Sequence, residues 1–474
     1  MAEKNLWILT EERPKPDTIF RIIKEFSTDF NKKISIKNNS ERTDITKEII
    51  IKPLFKKSLF QFSYEIKGVK IDDVGKIILE IVSGTGSFVD YLVYYEVDEP
   101  DQKKHTPLYA IEETKTTPQE SRNLHYQRIT KFGYISYYRK INNARKLFIY
   151  SIRKKFNTIP ESFVMGTRML KMFKVKVLGL ENTIVTIDDS RFKKFSTIDE
   201  MSNFKNSFAK KSGGHDTPYT ITKNKNKISI SARLQKGNSQ TSWSDPSTGF
   251  AIAAGFIVRE VFGHTGEISI VKTNFKKNPT GSKKGGKFAA VASRLDISIE
   301  DWKVPKKELP ENYFKKSDGE KVGSILLHLC LEDNHDLEII YENHAGSEQG
   351  YFEEKCTKCF VTRDFHSIKK KDGKADLIIL DKRNKEIFIL EGEKAKNVKK
   401  GIAQMKSFNV AEKQYCKKFY PKYKCKRFVV LYGDKEVDLT QKEKNQVIFR
   451  LKGNGQMIIY PKCPQIIKNI LEKL

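Results

Sequence analysis

Cysteine is scarce and badly placed for cross-linking: there are six, all from Cys330 onward. That density excludes a disulfide scaffold and points to a reduced, cytoplasmic chain. No run of 18 or more apolar residues occurs, so no segment reads as a membrane-spanning helix and no membrane partner is expected. The N-terminal stretch MAEKNLWILTEERPK lacks an apolar core of the length a signal peptide needs. No convincing internal repeat is visible.

What is present is charge. The 474 residues are 38% hydrophobic and 31% charged, with 88 Lys plus Arg against 59 Asp plus Glu, a formal net charge of +29. The length implies two or three domains. A cationic surplus of this size makes a polyanion the first partner to test, against the plainer reading of lysine-rich usage throughout.

Residues 1–157 alternate strand-like runs with one helical pattern. IIIKPLFKKSLFQFSYEI, VGKIILEIVS, GTGSFVDYLVYYEV, PLYAIEETK and KLFIYSI are apolar and β-branched, while HYQRITKFGYISYYRKI has helical spacing. Residues 158–320 are richer in Gly, Ser, Thr, Asn and Lys. They read as a loop-rich basic region with short alternating runs such as ISISARL and one helix in GFAIAAGFIVREVFG. Basic loops of this kind either stay solvated or wrap a polyanion. Residues 321–474 return to a dense pattern: helices in GSILLHLCLE and NVKKGIAQMKSFNVAEKQY, strands in KADLIILDKRNKEIFILEGEK and KRFVVLYG. The fold class expected is mixed α/β (α+β).

Two places concentrate carboxylates at strand ends. In the first, Asp90 opens an apolar strand, and Glu113 and Lys115 close the next one, sharing a face with Ile111 by strand parity. Glu112 is a rival acid, but parity sets it opposite Lys115. Phosphodiester hydrolysis near neutral pH calls for a metal that polarises the phosphoryl oxygens and lowers the pKa of a bound water. Mg²⁺ takes oxygen ligands, usually one or two protein carboxylates. A Lys on the same face would orient that water or offset developing charge.

Asp, a gap, then Glu-x-Lys resembles the PD-(D/E)xK nuclease superfamily, and type II restriction endonucleases in particular, over Gly84 to Tyr134. Asp90 matches the first acid of that pattern, Glu113 the second and Lys115 the lysine. Val89 stands where the pattern has Pro. Arg122, Gln127 and Arg128, in the helix that follows, are placed to reach a DNA backbone.

The second place is Lys374 to Phe408. Asp376 opens ADLIIL, and EIFIL runs into Glu391, Gly392, Glu393 and Lys394. Parity sets Glu391 and Glu393 on one face and Lys394 on the other. Read on the same resemblance, Asp376 and Glu391 are the two acids and Glu393 holds the lysine position, a Glu-x-Glu departure. Closely spaced acids beyond a buried strand need metal or base to neutralise them.

Other motifs carry less. GSKKGGK (281–287) has the spacing of a phosphate-binding loop, but Phe288 follows where Ser or Thr is needed. Cys356 and Cys359, with His344 and His366 near in sequence, supply one tight pair where structural zinc usually takes two. Trp243 suits base contact and loop anchoring equally.

The resemblance implies a site-specific double-stranded DNA endonuclease using Mg²⁺ and leaving 5′-phosphate ends. It would have restriction-endonuclease-like cores at 1–157 and 321–474, joined by the recognition region 158–320. It further implies a methyltransferase partner in the same system. The expected ligands are Asp90, Glu113, Asp376, Glu391 and Glu393, with Lys115 beside them. Either each site cuts one strand within a monomer, or a homodimer uses the first site alone. A non-catalytic DNA-binding protein with relic cores and a structure-specific repair or recombination nuclease remain the rivals.

Overall fold

The computed structural model describes residues 4–11, 16–36, 50–54, 63–84, 88–114, 125–136, 138, 140–150, 161–179, 189–211, 220–233, 246–273, 292–299, 312–316, 336–342, 351–352, 375–433, 435–452 and 456–472. The chain divides into two compact units. The first comprises Met1–Ile8, Lys15–Lys32 and Gly84–Phe314; the second comprises Leu9–Pro14, Lys33–Ser83 and Lys315–Leu474. These divisions differ from the sequence boundaries at 157 and 320. Residues 161–179 and 220–299 belong with the first core, and 33–83 group with the C-terminal part.

In the first unit, β1 (Lys4–Thr10), β7 (Tyr91–Tyr95), β8 (Tyr109–Thr114), β9 (Arg145–Tyr150) and β10 (Val175–Gly179) lie in the order β10-β9-β8-β7-β1. β7 and β8 are antiparallel, with Tyr91 opposite Ile111, whereas β8–β9 and β9–β10 are parallel. Parallel neighbours require a crossover, and helices α2 (His125–Ile135) and α3 (Glu161–Met172) fill the two connections. Tyr109, Ala110 and Ile111 are buried in succession, as in a strand covered on both faces. One cover is α1 (Pro16–Phe30), which buries Ile19, Ile22, Ile23 and Phe26 at helical spacing. Phe26 meets Tyr95 edge-on at 4.9 Å.

The basic middle of the sequence contains a second sheet. Strands β11 (Thr220–Asn224), β12 (Lys227–Arg233), β13 (Glu267–Thr273) and β14 (Ile297–Ile299) pair in order, the last three parallel. Their period-two sequences put Ile228, Ile230, Ile268, Ile270 and Ile297 in the core, and Ser229, Ser269 and Ser298 in a row on the other face. Helix α6 (Pro246–Phe256) packs on the isoleucine face, with Gly255 against Ile297, Ile230 and Ile268. Helices α4 (Asp189–Phe192) and α5 (Ile198–Lys211) precede this sheet. The short strand β15 (Phe314–Lys316) begins at the division between the units.

The second unit contains β2 (Ile34–Ile36) paired with β5 (Val69–Ile71), and the antiparallel strands β3 (Ile50–Leu54), β4 (Ser63–Lys67) and β6 (Val74–Gly84). Its larger sheet is β17-β16-β18-β19-β20-β21-β22. The strands are β16 (Leu337–Glu342), β17 (Tyr351–Phe352), β18 (Leu377–Asp381), β19 (Glu386–Lys394), β20 (Lys424–Tyr432), β21 (Val447–Leu451) and β22 (Met457–Ile459). β18–β19 are antiparallel, and β19–β20 and β20–β21 are parallel. Helix α7 (Val398–Met405) and the helical turns of residues 406–419 make the β19–β20 crossover. Ile378, Leu380, Ile387 and Ile389 share a core with Val398, Met405, Phe408 and Tyr415.

The mixed α+β class holds. Among the described residues no helix is long and apolar enough to cross a membrane. The helix read in GSILLHLCLE lies outside the described residues, as do Trp243, 281–287, His344, Cys356, Cys359 and His366.

Candidate active site

The turn before β7 brings Asp90 to the end of β8. The carboxylate Oδ2 accepts the backbone N–H of Glu113 at 2.7 Å. Since Tyr91 pairs with Ile111 in an antiparallel register, Asp90 falls opposite Glu112. Lys131 of α2 confirms the shared face: its Nζ is 3.9 Å from Asp90 Oδ1 and makes a close ion pair with Glu112 Oε1. The residue before Asp90 is pinned too, because Val89 N–H donates to the Tyr313 hydroxyl at 3.0 Å. Tyr313 is in turn held by Gln102 Oε1, which accepts its N–H at 2.6 Å.

Glu113 points the other way, under α1. Its Oε1 accepts from Thr18 Oγ1 at 2.8 Å and its Oε2 from the Tyr91 hydroxyl at 3.0 Å. It is buried and doubly hydrogen-bonded, as a buried carboxylate must be to be tolerated. Thus the carboxylate facing Asp90 is that of Glu112, not that of Glu113. Parity along β8 is as read, with Ile111 and Glu113 together. The one-residue register against β7 decides which acid meets Asp90. Lys115, and the side chains of Arg122, Gln127 and Arg128, lie outside the described residues.

The second cluster repeats this relation residue for residue. Asp376 Oδ2 accepts the Gly392 N–H at 2.7 Å, and the Leu377–Leu390 pairing sets Asp376 opposite Glu391. Glu391 therefore corresponds to Glu112, and Gly392 to Glu113. Glu393, on the same face as Glu391, is buried, accepts from Asn397 Nδ2 at 3.2 Å and pairs closely with Lys400 of α7. Gly401 allows this helix to come near; a Cβ there would meet Glu393 Cγ at 3.1 Å and Val429 Cγ1 at 3.2 Å. Tyr341 of β16 lies beside both acids. Burial, with the Asp376 and Glu391 carboxylates next to it, holds its hydroxyl well above the usual phenol range. It stays protonated.

The donors suit a hard divalent cation. Each cluster offers two carboxylates from adjacent strands, and Mg²⁺ commonly takes one or two and keeps the rest of its shell for water and phosphate. Among the described residues no three His, Cys, Asp or Glu side chains converge as a ready-made cage. Thr18, Lys131 and Tyr341 were not singled out from the sequence. Only Lys131 leaves a signal there, as a cation one helical turn before the buried Ile135. Comparison with protein-family models, with curated proteins and with solved structures finds no match.

Proposed function

We propose that the chain is a Mg²⁺-dependent endonuclease acting on double-stranded DNA at specific sites, in the manner of the type II restriction enzymes it resembles. One observation carries this reading. Twice in the chain, an Asp ahead of a hairpin strand accepts a backbone N–H from the neighbouring strand and faces a buried Glu. Each time a helix follows and crosses to a parallel strand. The antiparallel–parallel order with acids at the strand end supports a restriction-endonuclease-like core in each unit.

In this reading Asp90 with Glu112, and Asp376 with Glu391, would hold the metal, and Glu393, paired with Lys400, borders the second site. The chemistry Mg²⁺ would supply there is polarisation of the phosphoryl group and a lowered pKa for a bound water. The backbone N–H groups of Glu113 and Gly392 fix the two aspartates, so the carboxylates are oriented before any ligand arrives. Thr18 and Tyr91 hold Glu113 on the far face, which anchors the end of β8. The charge of +29 supplies attraction to the phosphate backbone. Cleavage to 5′-phosphate ends, and a methyltransferase partner protecting the same site, belong to the proposal through the resemblance.

Plasmid DNA incubated with the protein and Mg²⁺ tests it. A discrete fragment pattern, abolished by EDTA, is the expected result. Binding without cutting would favour the relic protein, and cutting only at branched DNA the repair nuclease.

A further inference from the structure

The two clusters differ in what neutralises them. Lys131 has a side chain only 15% exposed, and its ammonium contacts both members of the facing pair, Glu112 closely and Asp90 Oδ1 at 3.9 Å. Glu112 is fully buried, and the Lys131 ammonium offsets the cost of keeping its carboxylate charged there. The ammonium thus contacts the two carboxylates that would hold a divalent cation. Lys400, by contrast, is 63% exposed and binds Glu393. The pair that faces across the hairpin there, Asp376 and Glu391, has the neutral Tyr341 beside it.

We propose that Lys131 is a built-in counter-ion that a divalent metal must displace, so that the first cluster takes up metal less readily than its two acids alone would. This rests on the metal-dependent reading above. Exchange is physically simple, because a lysine carries its point charge on a flexible four-carbon stem. Its ammonium can leave the carboxylates while the helix stays packed. A phosphate bound at the strand end then gives the released ammonium a new anion, which couples metal entry to DNA binding.

The test is Mn²⁺ binding by the full chain, followed through the electron paramagnetic resonance signal of free Mn²⁺, with D376N silencing the second cluster. In that background K131M should tighten Mn²⁺ about tenfold, since a unit positive charge near the ion is removed. K131R should stay close to the parent, and D90N should abolish binding. Unchanged or weaker binding by K131M, with D90N still abolishing it, would overturn the counter-ion proposal and leave the metal site standing. Unchanged binding by D90N would instead overturn the metal reading. Should K131M not fold, E112Q/K131M removes one charge of each sign and is compared with E112Q. Tighter Mn²⁺ in the double variant is expected, and equal affinity contradicts the proposal.

Discussion

Asp90 and Asp376 sit in the same backbone relation, yet one pair of acids is closed by a partly buried lysine and the other is bordered by a buried tyrosine. The shared part is cheap to specify. A hairpin register and one side-chain acceptance of a backbone N–H orient a carboxylate, whatever residues surround it. The part that differs sets the local charge. Counting Asp90, Glu112 and Lys131 gives a net of −1, while Asp376, Glu391, Glu393 and Lys400 give −2, with the cation largely in solvent. These named groups thus carry more negative charge at the second cluster, and in the metal-dependent reading proposed above the two clusters would not load alike.

The comparison breaks most sharply at Glu112 and Glu113, neighbours that face opposite ways. Glu112→Gln should lower cleavage of the strand served by the first cluster by at least about a hundredfold, more than the loss of an outer partner of a metal site typically costs. Its thermal stability should change little, because Lys131 keeps Asp90 as a partner. Equal cleavage by this variant and the parent in a strand-resolved assay would remove Glu112 from the site.

Glu113→Gln should act on stability instead. One of its two acceptors for Thr18 and Tyr91 becomes a donor facing a donor, a cost of about 1–3 kcal/mol measured by urea denaturation. Retained stability would mean that the far-face network is not anchoring β8. The smallest effect is expected at Lys400. Its charge lies largely in solvent, so Lys400→Arg, which keeps a cation opposite buried Glu393, should change stability by less than about 1 kcal/mol. A larger loss would place Lys400 on the same footing as Lys131.

Much of the fold was legible. PLYAIEETK and KEIFILEGEK end in carboxylates after unbroken apolar runs, and both are central strands with acids at the end. Asp90 and Asp376 stand just ahead of the neighbouring strands β7 and β18, and Glu391 and Glu393 lie near the end of β19. Glu112 was set aside because its parity opposes that of Lys115. What settles the matter is the register between β7 and β8, and a hairpin loop as long as residues 96–108 does not encode it locally. Partners distant in sequence were equally hidden: Thr18 is 95 residues from Glu113 and Tyr313 is 224 from Val89. The β11–β14 sheet was masked by composition. Its strands alternate Ile with Ser or Thr, which depresses mean hydropathy while keeping one apolar face.

The most direct measurement is the fate of each strand of a supercoiled plasmid carrying one cleavage site, with Mg²⁺, in D90A and D376A. A single metal site aligns one scissile phosphate at a time, and the two strands present theirs with opposite polarity. Two clusters in one chain therefore predict that each variant yields nicked circles, with opposite strands surviving when the nicks are mapped. Full linearisation by D376A would contradict a catalytic second cluster and favour a homodimer of the first. Nicks on the same strand in both variants would contradict the division of labour itself.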